Sequence, residues 1–587
     1  MALVWPAPGT RSGAGHSSPV SLSAASLRAA MTKHSRRQFV GSLATAGGMA
    51  ALAPRAFGAA WLGKADVILS GGTFYTMDSG PGPVEALAVR GSRILAVGSK
   101  EDIAALAGPA TEVIDTRGMT VTPGFIDAHS HPLMANEAVS VNVDFRTIGE
   151  VQQVLRARAA VTPAGHWVQG HMYDDTKFVE GRAMNQADLD AVSTEHPIFI
   201  LHRGGHTAVV NSLAFEVPGV TLETPDPEGG KYYRDADGFT GRIAEHALDT
   251  FLKAGTWPAI DRKANQENVR LITRRMLSAG LTSTTDAYGE AEQWQAYQDA
   301  YHAGELNCRI SFMPSGAIFE AMKTAGIRSG FGDEMLRVGA VKYGADGSVS
   351  ERTMRMSTPF TGRPDDYGIL TMTQEEIDAA VDDAVANGFR IGIHANGDVT
   401  IDMVLKSYER VLANWQGTNP RFRIEHCSLV NPGLIERIKA TGAIPTPFYT
   451  YAHYHGEKWH EYGAEKMEWM FAHRSFLDYG IPAAPASDNT PGPYEPMMAI
   501  QSMVTRKDPD GNVWGPSQRI SVAEAMQVCT MNGAYASFEE DIKGSLTPGK
   551  LADIVVLADD PHRVDPDEIK HIGIVRTLLG GRTLFAA

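Results

Sequence analysis

The chain has 587 residues, 43% hydrophobic and 21% charged, with a formal net charge of −15. That length excludes a single small domain and suits one large domain with a satellite. The composition is that of a globular chain, and the acidic balance excludes non-specific nucleic-acid binding, which needs a basic surface.

Residues 1–58 read as an N-terminal extension rather than fold. Ser35-Arg36-Arg37-Gln38-Phe39-Val40 resembles a twin-arginine export signal. The Gly- and Ala-rich apolar stretch that follows is shorter than the roughly 20 residues a membrane span needs. Ala56-Phe57-Gly58 offers a small-x-small cleavage site. The expectation is export to a bacterial periplasm by the twin-arginine machinery, with no stable membrane span in the mature chain. An arginine pair this far in also points to Met31 as an alternative start to Met1. Cys308, Cys427 and Cys529 have neither zinc-knuckle nor redox spacing and read as small buried residues.

From Ala65, ADVILSGGTFYTMD, ALAVRGSRILAVGS and TEVIDTRGMTVTPG alternate apolar and polar residues between Gly or Asp turns, the antiparallel strand pattern. GSLTPGKLADIVVLADDP and VRTLLGGRTLF repeat it at the far end. Pieces this short are unstable alone, so residues 59–122 and 537–587 are expected to pair into one β-sandwich. Between them, residues 123–536 alternate short β-branched runs with longer helical stretches. QEEIDAAVDDAVANG leading into FRIGIHANGD is a clear unit. That rhythm implies a parallel α/β sheet. PDPEGGKYYRDADGFTGR breaks it, so residues from about 165 to about 245 read as an insertion over the mouth.

Six residues at the ends of apolar runs then read as ligands of a two-metal hydrolase: His129, His131, Lys342, His394, His426 and Asp488. In a β/α barrel the active site is built at the carboxyl ends of the strands. His129 and His131 are two apart, so on a strand both imidazoles face one cavity. Lys342 ends VGAVK; burial would free its neutral amine, which can take up carbon dioxide as a bridging carbamate. Snorkelling to the rim is the other reading of that lysine. His394 and His426 offer imidazole to a borderline metal such as zinc. Asp488 could both ligate and exchange a proton with the attacking water. Asp398 and Glu425 are candidates to orient ligand imidazoles. Tyr449, His453 and His455 would line the pocket or cap the barrel.

These residues stand in TPGFIDAHSHP, VKYGADGSVSERT, HANGD, RIEHCSLV and ASDNTP, with LDAVSTEHPIFILHRGGHTAVVNSLAF and GSLTPGKLADIVVL around them. Together they resemble the amidohydrolase superfamily, and within it the amidohydrolase-3 branch of YtcJ-like metal-dependent hydrolases, from Ala65 to the C-terminus. The resemblance implies a (β/α)8 TIM-like barrel with a urease-like β-sandwich formed by both chain ends. It also implies two divalent metal ions, with His129, His131 and Asp488 on one, His394 and His426 on the other, and carboxylated Lys342 bridging them. The implied reaction is hydrolysis of an amide-type C–N bond in a small-molecule substrate, with a metal-bound hydroxide attacking the carbonyl. Lactone or ester hydrolysis, ring deamination and a non-catalytic periplasmic binding protein are the alternatives. Homo-oligomerisation stays open. His206, His171, Tyr173 and Arg352 are the candidate substrate contacts. The branch has Asp-Gly-His where this chain has Gly204-Gly205-His206, so substrate recognition is expected to differ.

Overall fold

The computed structural model describes residues 63–78, 84–134 and 139–587. The arginine pair and the cleavage motif lie outside them. Among the described residues no helix is long and apolar enough to cross a membrane.

Both ends of the chain enter one eight-stranded sheet. Its order runs Arg582–Ala586, Ile574–Leu579, Ile554–Leu557, Thr120–Pro123, Val67–Phe74, Val84–Arg90, Arg93–Gly98, with Glu112–Asp115 also paired to Val67–Phe74. The junction is antiparallel, Ile554 opposite Pro123 and Val556 opposite Val121. Leu69, Leu87, Val121, Ile554 and Leu578 are buried in one apolar cluster, which is why neither end holds together alone.

Directly after Pro123 the chain enters a parallel strand, Phe125–Ser130. It heads a four-stranded sheet continued by Leu281–Gly289, Arg309–Pro314 and Leu336–Val338. A second parallel sheet follows: Val341–Gly344, Ile391–Ala395, Arg423–His426 and Ile444–Thr446. The last member has no regular strand assignment, yet its backbone pairs on both sides. Ala484 and Ala486 bond Pro445 and Tyr449, while Pro485 and Asp488 bond Ala128 and His129. Those bonds close the two sheets into a ring.

Helices separate the ring strands, except that Leu336–Val338 runs on through Gly339 and Ala340 into Val341–Gly344 and so joins the two sheets on the other side. In Gln374–Ala386 the residues Ile377, Ala380, Val381 and Ala384 are buried at helical spacing. Thr373 and Glu376 close a capping box on its first turn. Thr373→Ala would cost about 1 kcal/mol. The ring is fastened to the terminal sheet by Arg309, whose guanidinium makes a buried two-point bond to Asp553 at 2.7 and 2.8 Å.

A third sheet stands apart, ordered Gly230–Asp235, Gly238–Glu245, Thr207–Val210, Ile198–His202, Val168–Tyr173, Ser140–Asn142. It lies in sequence between the first and second ring strands. It begins at Ser140, earlier than the expected 165. The reason is local: Ser140–Asn142 is only three residues long and is followed by the amphipathic helix Ile148–Ala159, which in sequence reads as another β/α unit. All three cysteines are buried and free.

Candidate metal centre

The six expected ligands converge. His129 lies on the strand Phe125–Ser130 and His131 directly after its end, their ring centroids 5.3 Å apart. The His426 ring is 4.4 Å from His129 and 4.6 Å from His394. Asp488 Oδ1 is 3.1 Å from His131 Nε2 and 3.5 Å from His129 Nε2. Lys342 Nζ is 3.4 Å from His129 Nε2. His131, Lys342, His394, His426 and Asp488 line a cavity of about 500 Å³; His129 is fully buried behind them.

Two of the imidazoles, those of His129 and His394, are held from behind. Glu425 Oε2 sits 2.5 Å from His129 Nδ1, which fixes the proton on Nδ1 and leaves Nε2 as an electron-pair donor. Glu425 is itself gripped by Arg423 at 2.6 and 2.8 Å and by the Thr446 hydroxyl at 2.8 Å. Burial opposes charge on Glu425, but Arg423 and His129 hold its carboxyl well below the usual range. Its space depends on Gly392, where a Cβ would meet Glu425 Oε1 at 2.4 Å. His394 Nε2 faces the Gly347 carbonyl at 3.1 Å, leaving Nδ1 for the cavity. His426 and Asp488 both adopt left-handed backbone, φ 66° and 56°. Such residues cost about 1 kcal/mol or more and persist where the surroundings impose them.

The donor set fits a metal. One atom each from His129, His426 and Asp488 lies within 4.8 Å of the others. His426 Nδ1 is buried with no hydrogen-bond partner. Burial lowers His129 to about 4 and puts His394 and His426 well below the ordinary imidazole value, so all three present neutral nitrogen. Burial also lowers the Lys342 amine to about 8. Burial works against the Asp488 carboxylate, but the His131 hydrogen bond together with the charges of His131, His129 and Lys342 outweighs it and holds Asp488 below its ordinary value. Two other carboxylate–histidine groups, around Asp174 and Asp175, are occupied instead by Lys458, Arg203 and Arg352.

Of the four expected substrate contacts, only His206 lines this cavity. Its Nδ1 is 2.7 Å from Glu245 Oε2; burial disfavours its charge, but Glu245 outweighs that and lifts it to about 9. His171 turns to Ser140, with Nδ1 2.8 Å from the hydroxyl. The Tyr173 hydroxyl accepts from Met184 N, 3.1 Å away, and its ring lines a separate cavity. Arg352 is buried in ion pairs with Asp175 and Glu461. His171 and Tyr173 brace the third-sheet segment from within, and Arg352 alone ties it, through Asp175, to residues outside it. Tyr449, His453 and His455 likewise bond backbone carbonyls of Tyr494, Lys507 and Pro491 and do not line the cavity.

Asp398 orients no ligand. It accepts from Ser357 at the start of helix Asp398–Leu412. Asp346 stands in its stead, with Oδ1 3.5 Å from His394 Nε2 and 2.9 Å from Asn396 N. Burial raises Asp346 to about 7. Sequence reasoning also missed Tyr451, whose hydroxyl donates to Asp488 Oδ2 at 3.2 Å, and the wall residues Asp286 and Tyr288. Gly204, where the branch carries a carboxylate, has a spatial cause. A Cβ there would lie 1.9 Å from Glu351 Oε1, and that oxygen accepts from His206 N at 3.0 Å. Glu351 fills the place the missing side chain would take.

A family model described as "Amidohydrolase family" matches residues 112–585. The chain is 28% identical to N-substituted formamide deformylase of Arthrobacter pascens, covering 88% of this chain and 97% of that one. It is 27% identical to YtcJ of Bacillus subtilis, covering 88% and 99%. Among solved structures, an uncharacterised metal-dependent hydrolase from Pyrococcus furiosus superposes with a TM-score of 0.66 at 24% identity, over 85% of this chain and all of that one. The last is a likeness of fold.

Proposed function

The chain belongs to the amidohydrolase family and is a hydrolase of carbon–nitrogen bonds; from that premise we propose that it cleaves a linear or cyclic amide in the cavity faced by His131, Lys342, His394, His426 and Asp488. The architecture this reading takes is the (β/α)8 barrel with a sandwich from both chain ends. The carrying observation is the convergence of His129, His426 and Asp488 donor atoms within 4.8 Å.

His129, His131 and Asp488 would hold one divalent ion and His394 and His426 a second, zinc being suited to such donors. Lys342 would help hold both as a carbamate: its neutral amine would add to carbon dioxide, the N–C bond forming as one C–O π bond opens to the carboxylate and a proton passes to water. A buried amine lowered to about 8 is reactive for this near neutral pH. Ions bound there supply Lewis acidity, which acidifies a water and polarises a carbonyl. Asp488 accepts the proton of the attacking water and passes it to the leaving nitrogen, which cannot depart as an anion. Tyr451 holds Asp488 Oδ2, so Oδ1 keeps its aim toward His131. His206, with Nδ1 engaged by Glu245, has Nε2–H free for a substrate oxygen. We also propose that the twin-arginine segment exports the folded protein to the periplasm.

The test is metal analysis of the purified protein with a panel of N-formyl and N-acyl amines, esters, lactones and ring amidines. The expected result is close to two metals per chain, amide turnover lost on chelation and regained on reloading with bicarbonate. Active protein without metal would end the two-metal reading. Turnover confined to esters, lactones or ring amidines would end the amide reading, and metal-loaded protein with no turnover would leave a binder.

A further inference from the structure

Beyond the expected ligands, the lining of the reactive cavity has its own chemistry. It is built from two sources. The ring contributes Tyr288, at the end of strand Leu281–Gly289, and Glu290, the N-cap of helix Ala291–His302. The third-sheet segment contributes Leu248, Asp249 and Leu252 from helix Ala247–Leu252. Tyr288 and Leu252 are each 49% exposed, large apolar surfaces left open at the mouth. Exposed aromatic surface beside an active site is a binding surface by default.

Charge on this wall is one-sided. Asp249 and Glu290 are the carboxylates there, and both act on the Tyr288 phenol: burial raises it first, and the charges of Glu290 and Asp249 raise it further. All three residues line the one cavity. The basic groups on the cavity have their own partners: His131 meets Asp488 and His246 the Glu228 carbonyl. His206 is matched by Glu245. Lys342 stands among the imidazoles, where the reading above makes it an anionic carbamate. Asp249 has only an exposed partner one helical turn away, Lys253 at 3.3 Å, a pair of small worth. Glu290 is exposed and forms its capping-box bonds with Gln293. An aromatic ring and two carboxylates on one cavity lining are the groups that attract an ammonium or guanidinium. The ring centroid is 5.8 Å from Lys342 Nζ, so only a short chain separates this wall from the reacting centre.

We propose that this cavity selects amides whose non-reacting end is a cationic group, held by the Tyr288 ring and by the carboxylates of Asp249 and Glu290 that line the same cavity. The inference rests on the amide-hydrolase reading and deepens it by naming the substrate class. Asp249, Tyr288 and Glu290 are specificity residues here; none exchanges a proton in the reaction.

The test uses three probes of matched length: N-formyl-1,4-diaminobutane with a remote ammonium, N-formylpentylamine with a remote methyl, and N-formyl-5-aminopentanoate with a remote carboxylate. With metal-loaded protein at low ionic strength, kcat/KM is expected to favour the ammonium probe over the methyl probe by roughly tenfold or more, most of it in KM, and to be lowest for the carboxylate. In Asp249→Asn/Glu290→Gln the ammonium preference is expected to collapse toward one, and Tyr288→Leu to reduce it severalfold. Binding is read separately by calorimetry, with 1,5-diaminopentane against 1-pentanol. If none of the amides turns over, the hydrolase reading fails while tighter binding of the diamine still upholds this one. Equal use of the three probes, equal binding of diamine and alcohol, or a preference that survives the double substitution overturns it.

Discussion

Glu425 and His129 meet in a bond of 2.5 Å between two side chains with no solvent exposure. The carboxylate belongs to the strand Arg423–His426 and the imidazole to Phe125–Ser130, so one contact spans the ring and aims a ligand. Glu425→Gln keeps the shape and removes the charge. It leaves Arg423, which is buried, without its two-point partner. We expect metal affinity to fall by about 10- to 100-fold, read by competition with a chelator. Unchanged affinity would show that Glu425 serves Arg423 alone.

Lys342 and Asp488 should fail in different ways. Asp488→Asn removes the proton acceptor but keeps an oxygen in place. Most metal should stay while turnover drops by roughly two orders of magnitude or more. Lys342→Ala removes the bridge, so metal and turnover should go together, and a short carboxylate such as propionate would restore both in part. Metal content and turnover measured side by side decide it. Lys342→Ala with full metal and near-parental turnover would dispose of the carbamate.

A stability prediction rests on His473, well outside the metal centre. Its ring is 2% exposed, and burial, with Arg506 adding to it, lowers it to about 3. An unfolded histidine takes its proton near 6.5. Between these values the unfolded state binds more protons, so stability is fully present above pH 6.5 and is lost as pH falls toward 3. From pH 7.5 to pH 5 this one residue should remove about 2 kcal/mol. Metal-free protein compared with His473→Gln in urea titrations at both values measures it. Identical pH slopes would assign the acid sensitivity elsewhere.

Export is tested by Arg36→Lys/Arg37→Lys. The precursor should accumulate in the cytoplasm while its metal content and turnover, measured there, match the parent. Full periplasmic delivery of the substituted protein would reject the twin-arginine assignment.

The six convergent residues were legible because each ends an apolar run, and strand periodicity puts His129 and His131 on one side. Asp488 was legible by its motif although Ala483–Asp488 is an irregular stretch, held by backbone bonds to its neighbours and by the side chains of Asp127, Asn532 and Tyr451. What was not legible is who stands behind each ligand. Asp398 and Asp346 are both carboxylates close to HANGD or VKYGADG in the chain. Only the fold shows that Asp398 begins a helix while Asp346 turns to the amides of Asn396 and Gly397. The same holds in FYTYAHYHG. The turn Tyr451–Tyr454 is a single helical turn; it sends Tyr451 to Asp488 and its histidine neighbours to carbonyls, a choice no alternation pattern encodes. His171, Tyr173 and Arg352 looked functional because polar side chains near a motif often are. Their partners are Ser140, the amide of Met184 and Asp175, all contributed by the third sheet and its loops, whose contacts only folding reveals.

The antiparallel seam between Thr120–Pro123 and Ile554–Leu557 has a bearing on how the chain is made. Synthesis is vectorial. The strand that leads straight into His129 leaves the ribosome early, and its partner leaves near the end. Throughout translation of the intervening chain that edge is unpaired, a state open to wrong pairings. A stop codon a few dozen residues short of Ala587 would leave every metal ligand encoded and remove Ile554–Leu557, Ile574–Leu579 and Arg582–Ala586 together with Asp553, the partner of Arg309. Such a protein would carry the whole reactive centre in its reading frame and have an open seam beneath it.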